Sequence, residues 1–328
     1  MNLNNLEDRK EEMKVLGFSS KLIEQMEEKM KQGLPDFKLH ESVPATKGQV
    51  DLTLHFRQSS QSDYYYLNRY EAVHNQARPL EEGQKYMVIT KGENDKNIYK
   101  NLENLGEALD FFKKQSGTSE LAVGKDAAHK TMLANMENGT VNFVAKDFQR
   151  NYYSQPLPQT FWIDRGKGFN KEQGVNLVQG RYVHRDDLLS REGVPYKAWM
   201  QLDTEKPRDR QNNLTFRQYA DPAYRFDLNS VLKTFNIKEL DDPKKAEVLE
   251  ASLRNGNRPL ITTAKDGEQV KMFIETAVRW GKINFYAENG RPEKREQFLK
   301  EPALRQENSF SKALDQNKNQ SESQQLSR

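Results

Sequence analysis

The sequence predicts an α+β fold made of several small modules, each with one helix followed by an antiparallel meander. The clearest module spans residues 245–288. Its first part has apolar residues at helical spacing and ends at Gly256, where a helix needs a residue that tolerates a left-handed conformation. Three runs with strand-like alternation follow, and turn residues separate them: residues 259–263, 269–275 and 282–287.

A short signature indicates that this unit is repeated. An apolar residue, any residue, Gln or Asn, and then Gly occurs at residues 30–33, 136–139, 177–180 and 253–256. Each copy is predicted to end a helix and to precede strands, and the uneven spacing favours divergent repeats with insertions. Coincidence is the alternative, because an amide residue followed by glycine is common at unrelated helix ends.

The composition also favours small modules. Only 35% of the 328 residues are hydrophobic, which is too few for one large core and suits several thin ones. We predict four modules and a disordered tail that is rich in Gln, Asn and Ser: residues 1–80, 81–158, 159–226, 227–300 and 301–328.

The local patterns place the elements along these modules. Helices are predicted at residues 5–16, 19–31, 101–114, 127–138, 171–177 and 227–234, with a final helix at 293–300. Strands are predicted at residues 49–58, 64–74, 85–90, 160–163, 196–202 and 214–219. In the second helix, Met26 and Met30 belong to an apolar stripe, which is either ordinary core or an adaptable partner surface.

Arginine and tyrosine are mixed in two stretches of the chain, one in each half. Rings that stack on bases, next to guanidinium groups that neutralise phosphates, are typical of proteins that bind single-stranded nucleic acid. The same residues also suit an ordinary half-buried strand or a loop in which arginine stems cover tyrosine rings. The candidate nucleic-acid contacts are Arg57, Tyr65, Arg69, Arg208, Arg210, Arg217, Tyr219 and Arg225.

The charge distribution gives this hypothesis modest support. Residues 151–300 hold 26 Lys and Arg against 21 Asp and Glu, whereas residues 1–150 hold 21 against 23. A dedicated duplex-binding protein usually carries a larger positive excess.

The sequence gives little support for a catalytic, phosphate-binding or metal-binding site. The absence of cysteine excludes disulfides, a thiolate nucleophile and a cysteine zinc site. The string His184–Asp187 lacks the companion motifs of a kinase and is interpreted as part of a polar loop, and Gly166 and Gly168 complete neither phosphate-binding fingerprint. Three histidines would converge only if their strands are neighbours: His40, His55 and His74. We therefore predict no enzyme activity, no cofactor and no metal site.

The sequence also predicts a soluble cytoplasmic protein. The N-terminal residues lack the apolar segment of a secretory signal, and nowhere do 18 consecutive apolar residues occur. We expect no membrane partner, and the oligomeric state is open.

Four passages within residues 159–288 are informative together: QTFWID, NLVQGRYVHRDDL, the strand at residues 196–202 and the passage from LRNG to INFYAENGR. On these passages the chain resembles uncharacterised proteins carried by conjugative elements of Bacteroidetes-type bacteria, including a domain of unknown function appended there to topoisomerase-like proteins. It implies a role in mobile-element biology. The hypothesis is a non-enzymatic binding protein with nucleic acid as its first partner, and the alternative is an interaction module that acts on a host or transfer-machinery protein.

Overall fold

The computed structural model describes residues 2–92, 96–265 and 267–300, and they form an α+β fold with four antiparallel sheets, as predicted. The predicted tail at residues 301–328 lies outside the described residues. The helices of the described ranges are α1 (Leu3–Val15), α2 (Ser20–Lys31), α3 (Leu105–Lys113), α4 (Gln149–Tyr153), α5 (Lys171–Val178), α6 (Leu228–Lys233) and α7 (Pro243–Arg254).

The chain divides into two compact units. Unit one comprises residues 1–179 and 203–215, and unit two comprises residues 180–202 and 216–328. The predicted boundary at residue 159 lies inside unit one, because the strand that begins there pairs with the first sheet.

Unit one contains two sheets. The first sheet has the order β1 (Asp36–Pro44), β2 (Gln49–Gln58), β3 (Tyr65–Asn75) and β9 (Gln159–Trp162). The second sheet has the order β5 (Asn97–Leu102), β4 (Lys85–Lys91), β6 (Ser119–Gly124), β7 (Lys130–Glu137) and β8 (Thr140–Val144). Helix α3 packs against β4 and β6 of the second sheet through Leu109 and Phe112, which are fully buried.

One face of the first sheet, called the inner face here, packs against α1, α2 and α5. Its core side chains are almost completely buried, among them Leu52, Leu54, Phe56 and Tyr70. Helix α1 is fixed to β3 by Asn5, whose side-chain oxygen accepts from the Tyr65 N–H at 2.7 Å and whose amide donates to the Tyr65 carbonyl at 3.1 Å. The inner face therefore holds unit one together.

Unit two contains two further sheets and one shared core. The third sheet has the order β10 (Val183–Leu189), β11 (Pro195–Leu202) and β12 (Phe216–Asp221), and the fourth has the order β13 (Leu260–Lys265), β14 (Glu268–Ala277), β15 (Lys282–Tyr286) and β16 (Pro292–Glu293). Trp199 from the third sheet, Leu253 from α7 and Phe285 from the fourth sheet belong to the same buried cluster.

Three of the four signature copies end a helix. Gln32, Gln179 and Asn255 are the C-cap residues of α2, α5 and α7, and the following glycines have positive φ angles. The interpretation of residues 136–139 was wrong. Asn138 and Gly139, with φ of 49° and 74°, form the tight turn between β7 and β8. Asn-Gly is a signal for a hairpin turn as well as for a helix end. The segment predicted as a helix at residues 127–138 contains strand β7 instead.

Two other predicted elements also differ from the structure. Residues 293–300 form a short strand and a single 3₁₀ turn at residues 295–298 instead of a helix. The string His184–Asp187, interpreted as part of a polar loop, lies on strand β10. Its His184 is buried because the ring packs against Trp199.

Candidate nucleic-acid interface

The face of the first sheet opposite the three helices, called the outer face here, carries polar and aromatic side chains. The antiparallel registers place them in rows across neighbouring strands. The first row is Asp36, Arg57 and Tyr66, the second is Lys38, His55, Arg69 and Trp162, and the third is His40, Thr53, Glu71 and Thr160.

Two exposed aromatic rings lie in the first two rows. Tyr66 is 43% exposed and Trp162 is 56% exposed. The guanidinium carbon of Arg69 lies 5.5 Å from the centre of the Trp162 ring, within the range of a cation–π contact. Arg57 is the direct cross-strand partner of Tyr66. These four residues, Arg57, Tyr66, Arg69 and Trp162, are called the aromatic–arginine patch below.

A β-bulge decides which tyrosine belongs to this patch. The register between β2 and β3 shifts between His55 and Phe56, so that Asn68 has no direct partner on β2. Because a bulge changes the phase of side-chain alternation, Tyr66 and Arg69 share the outer face although they are three positions apart in the sequence. Strict alternation would have put Tyr65 and Arg69 on the same face.

Both predicted tyrosine contacts are corrected by the structure. Tyr65 is 1% exposed and packs at the inner face, with its ring centre 5.9 Å from that of Phe37. Tyr219 is 5% exposed and contacts the rings of Tyr182 and Tyr224 in the core of unit two. A buried ring has no free face for a base, so neither residue can act as a stacking platform.

The predicted arginines are divided between the two units. Arg57 and Arg69 lie on the outer face, and each has a nearby carboxylate, Asp36 at 3.7 Å and Glu71 at 3.5 Å. Arg208 donates to the carbonyl oxygens of Pro158 at 3.1 Å and Asn212 at 2.5 Å, so it fixes a loop of unit one. Three further predicted contacts are Arg210, which is exposed in unit one, Arg217, which is half-buried in unit two, and Arg225, which is exposed in unit two.

A cleft lies on the outer face next to the third row and continues beyond it. Helix α3 and residues 155–158 cover this part of the sheet and leave a cavity of about 190 Å³. Carboxylates and amides line it together with apolar walls, and its lining includes Lys38, Asp51, Glu71, Asn104, Glu107 and Pro156.

Asp51 anchors the floor of the cleft. Its carboxylate is buried and accepts hydrogen bonds from Ser42 at 2.6 Å, Gln49 at 2.8 Å and Asn75 at 2.6 Å. Burial nevertheless raises the pKa of Asp51 to about 6, because desolvation of the charged form outweighs these donors. Asp51 is therefore a group that titrates close to neutral pH inside the protein.

Two of the three histidines singled out in the sequence meet near this cleft. The Nε2 of His55 lies 3.1 Å from Glu71, and the Nε2 of His40 lies 3.4 Å from Glu107. The hydrogen bond from His55 lowers the pKa of Glu71, and burial lowers the pKa of His40. His74 lies apart from them and contacts the carbonyl oxygen of Lys47 at 2.8 Å.

The sequence did not indicate Trp162 as a contact. Its strand, β9, pairs with β3, which lies about ninety positions earlier in the chain, and local periodicity contains no information on that pairing. The only local signal was a bulky aromatic at the polar phase of a short strand.

A scan against protein-family models, a search of curated proteins and a search of solved structures each found no match for this chain. Within residues 2–92, 96–265 and 267–300, no helix is long and apolar enough to cross a membrane. Across these same ranges, no three His, Asp or Glu side chains are grouped so that they could hold a metal ion. What the outer face could bind is inferred from its own geometry.

Proposed function

We propose that this protein binds single-stranded nucleic acid on the aromatic–arginine patch and acts as a binding protein without catalysis. The observation that supports this most is the alternation of two exposed rings and two guanidinium groups on three neighbouring strands. Aromatic rings on a sheet face stack on bases of any sequence, and adjacent cations contact the phosphates.

The charge around the patch sets the expected salt dependence. Arg57, Arg69 and Lys38 project from the same face, so about three phosphate contacts are expected. For a single strand this number predicts that affinity falls by about 20-fold between about 50 and about 200 mM salt. A much steeper dependence would indicate a larger basic surface than this face offers.

Fluorescence anisotropy with a labelled oligothymidine tests the proposal. Trp162→Ala is expected to weaken binding by about ten-fold or more, because one stacked base is lost. Trp280→Ala is the matched control, since Trp280 is also exposed and also has an arginine, Arg279, 5.3 Å from its ring centre, but lies in a 3₁₀ turn of unit two. Equal effects of the two variants, or no binding by the wild type, would refute the proposal.

The setting of this function follows from the sequence resemblance. We propose that the protein acts in the cytoplasm as part of a mobile element, where transfer of DNA produces single strands. Support for this setting comes from the motifs within residues 159–288 alone.

A protein partner is the second candidate, and one surface favours it. The face of the second sheet opposite α3 exposes Tyr99, Met132 and Phe143 at 45%, 41% and 46%. Between them lie Met87, Ile89 and Ala122, which are themselves buried, in adjacent rows of the sheet. If this face binds a protein, Phe143→Ser should abolish a stable complex recovered from host lysate and leave oligonucleotide binding unchanged.

A further inference from the structure

The cleft beside the aromatic–arginine patch has the size and lining of a site for a single ring. Its volume of about 190 Å³ corresponds to roughly six water molecules, which is room for one planar heterocycle and not for two stacked ones. The lining also includes apolar residues, which offer a ring apolar surface to pack on: Val73, Leu105, Leu109, Pro156 and Pro158.

The cleft is continuous with the patch. Glu71 lines the cleft and is also the ion-pair partner of Arg69 and His55 in the second row of the outer face. On β3 the patch residue Arg69, the cleft residue Glu71 and the cleft residue Val73 follow each other on one face. A strand that stacks on Trp162 would therefore reach the cleft with a neighbouring base.

Acceptors dominate the polar lining of the cleft. Four carboxylates, Asp51, Glu71, Glu107 and Asp110, face one ammonium group, Lys38. Asp51 is occupied by its own donors, whereas Glu107, on the first turn of α3, is 47% exposed at its side chain and has one oxygen 3.4 Å from the Nε2 of His40. A carboxylate in such a place accepts hydrogen bonds from an exocyclic amino group, which cytosine, adenine and guanine carry and thymine lacks.

We infer that the cleft binds one nucleobase with an exocyclic amino group, cytosine, adenine or guanine, from the strand that lies on the patch. Glu107 accepts from the amino group while the proline and leucine walls hold the ring. This inference rests on the proposed function, because it names the base that the same surface selects. It predicts a preference that the patch alone, which stacks on every base, would not produce.

Anisotropy with a twelve-residue oligothymidine and with the same oligonucleotide carrying one central cytosine tests the inference at pH 7.5. The single cytosine is expected to tighten binding by about ten-fold, as one base-specific contact does. Glu107→Ala should remove most of this preference, since no side-chain oxygen then remains to accept from the amino group. Glu247→Ala, on the exposed side of α7, is the matched control and should retain it.

The two oligonucleotides distinguish failure of the cleft from failure of the proposed function. Equal binding of both oligonucleotides overturns the cleft while oligothymidine binding keeps the proposed function intact. Failure of both oligonucleotides to bind overturns the proposed function itself. Trp162→Ala should weaken both oligonucleotides equally and leave their ratio unchanged, because it alters the patch and not the cleft.

Discussion

The two faces of the first sheet are formed by the same strands and yet serve different purposes. On β2, Leu52, Leu54 and Phe56 point to the inner face and are buried under helices. Their immediate neighbours Thr53, His55 and Arg57 are more exposed and point to the outer face, where Arg9 of α1 lies 5.9 Å from the Tyr66 ring centre and α3 lines the cleft. One face determines stability, and the other is available for recognition.

The sharpest way to separate the two faces is to truncate adjacent residues of β2. Phe56→Ala should cost about 4 kcal/mol of unfolding free energy, because Phe56 is 2% exposed and its ring stacks on Phe37 at 4.9 Å. Arg57→Ala, one residue later and exposed, should stay within about 0.5 kcal/mol and reduce oligonucleotide binding instead. Urea unfolding and anisotropy on both variants measure this, and a stability loss shared by both would contradict the division.

A second substitution tests how closely α5 packs on the inner face. A Cβ added at Gly174 would lie 2.2 Å from the Tyr70 hydroxyl oxygen, which donates to the carbonyl oxygens of Phe169 and Asn170. Gly→Ala inside a helix normally stabilises by about 1 kcal/mol. At Gly174 we expect the opposite sign, a loss of about 2 kcal/mol from overpacking. Thermal unfolding decides between the two signs, and a gain in stability would show that α5 is loosely packed.

The stability of the protein should depend on pH because the carboxyl group of Asp51 is buried at the cleft. The pKa of Asp51 in the folded protein is about 6 against an ordinary value of 3.8, so burial of its charge destabilises the fold above pH 6. This penalty is relieved as the pH falls through 6, and between pH 7.5 and 4.5 the relief amounts to about 2 kcal/mol. The comparison is between wild type and Asp51→Asn, which cancels other titrating groups. A difference in unfolding free energy that does not change with pH would contradict the buried, ionisable state of Asp51.

The smallest effect is expected from the ion pair at the rim of the patch. Asp36 and Arg57 are both about 70% exposed at the side chain, and their atoms are 3.7 Å apart. Such a pair contributes little to stability, so Asp36→Asn should change the unfolding free energy by less than about 0.5 kcal/mol. It should tighten oligonucleotide binding by up to about two-fold because one negative charge leaves the patch. Weaker binding would place the phosphates elsewhere.

Much of the fold follows from local sequence patterns. Residues 49–58 were predicted as a strand and form β2 with those bounds, since alternating apolar residues fill one buried face. The two N-terminal helices begin within two residues of their predicted starts, because Asn2 and Ser19 cap them. Local patterns gave the wrong element at residues 130–137, because their apolar spacing fits a helix. They form a strand because they pair with β6 and β8.

The candidate site was predictable only in part. The local mixture of arginine and tyrosine was enough to predict Arg57 and Arg69 as contacts. Tyr65 was predicted in place of Tyr66 because an alternating pattern does not reveal the bulge at Asn68. Trp162 joins the patch through a long-range strand pairing, and the cleft forms where α3 meets a sheet distant in sequence. Chemistry that depends on such contacts requires the structure.

The most direct measurement of the central claim is the affinity of wild type, Trp162→Ala and Trp280→Ala for one labelled single-stranded oligothymidine at two salt concentrations. If the outer face binds nucleic acid, wild type and Trp280→Ala should bind with micromolar or tighter affinity. Their affinity should fall by about 20-fold from low to high salt, and Trp162→Ala should bind about ten-fold or more weakly than wild type. Binding that is absent, or that is unaffected by Trp162→Ala, would contradict the assignment of this face to nucleic acid.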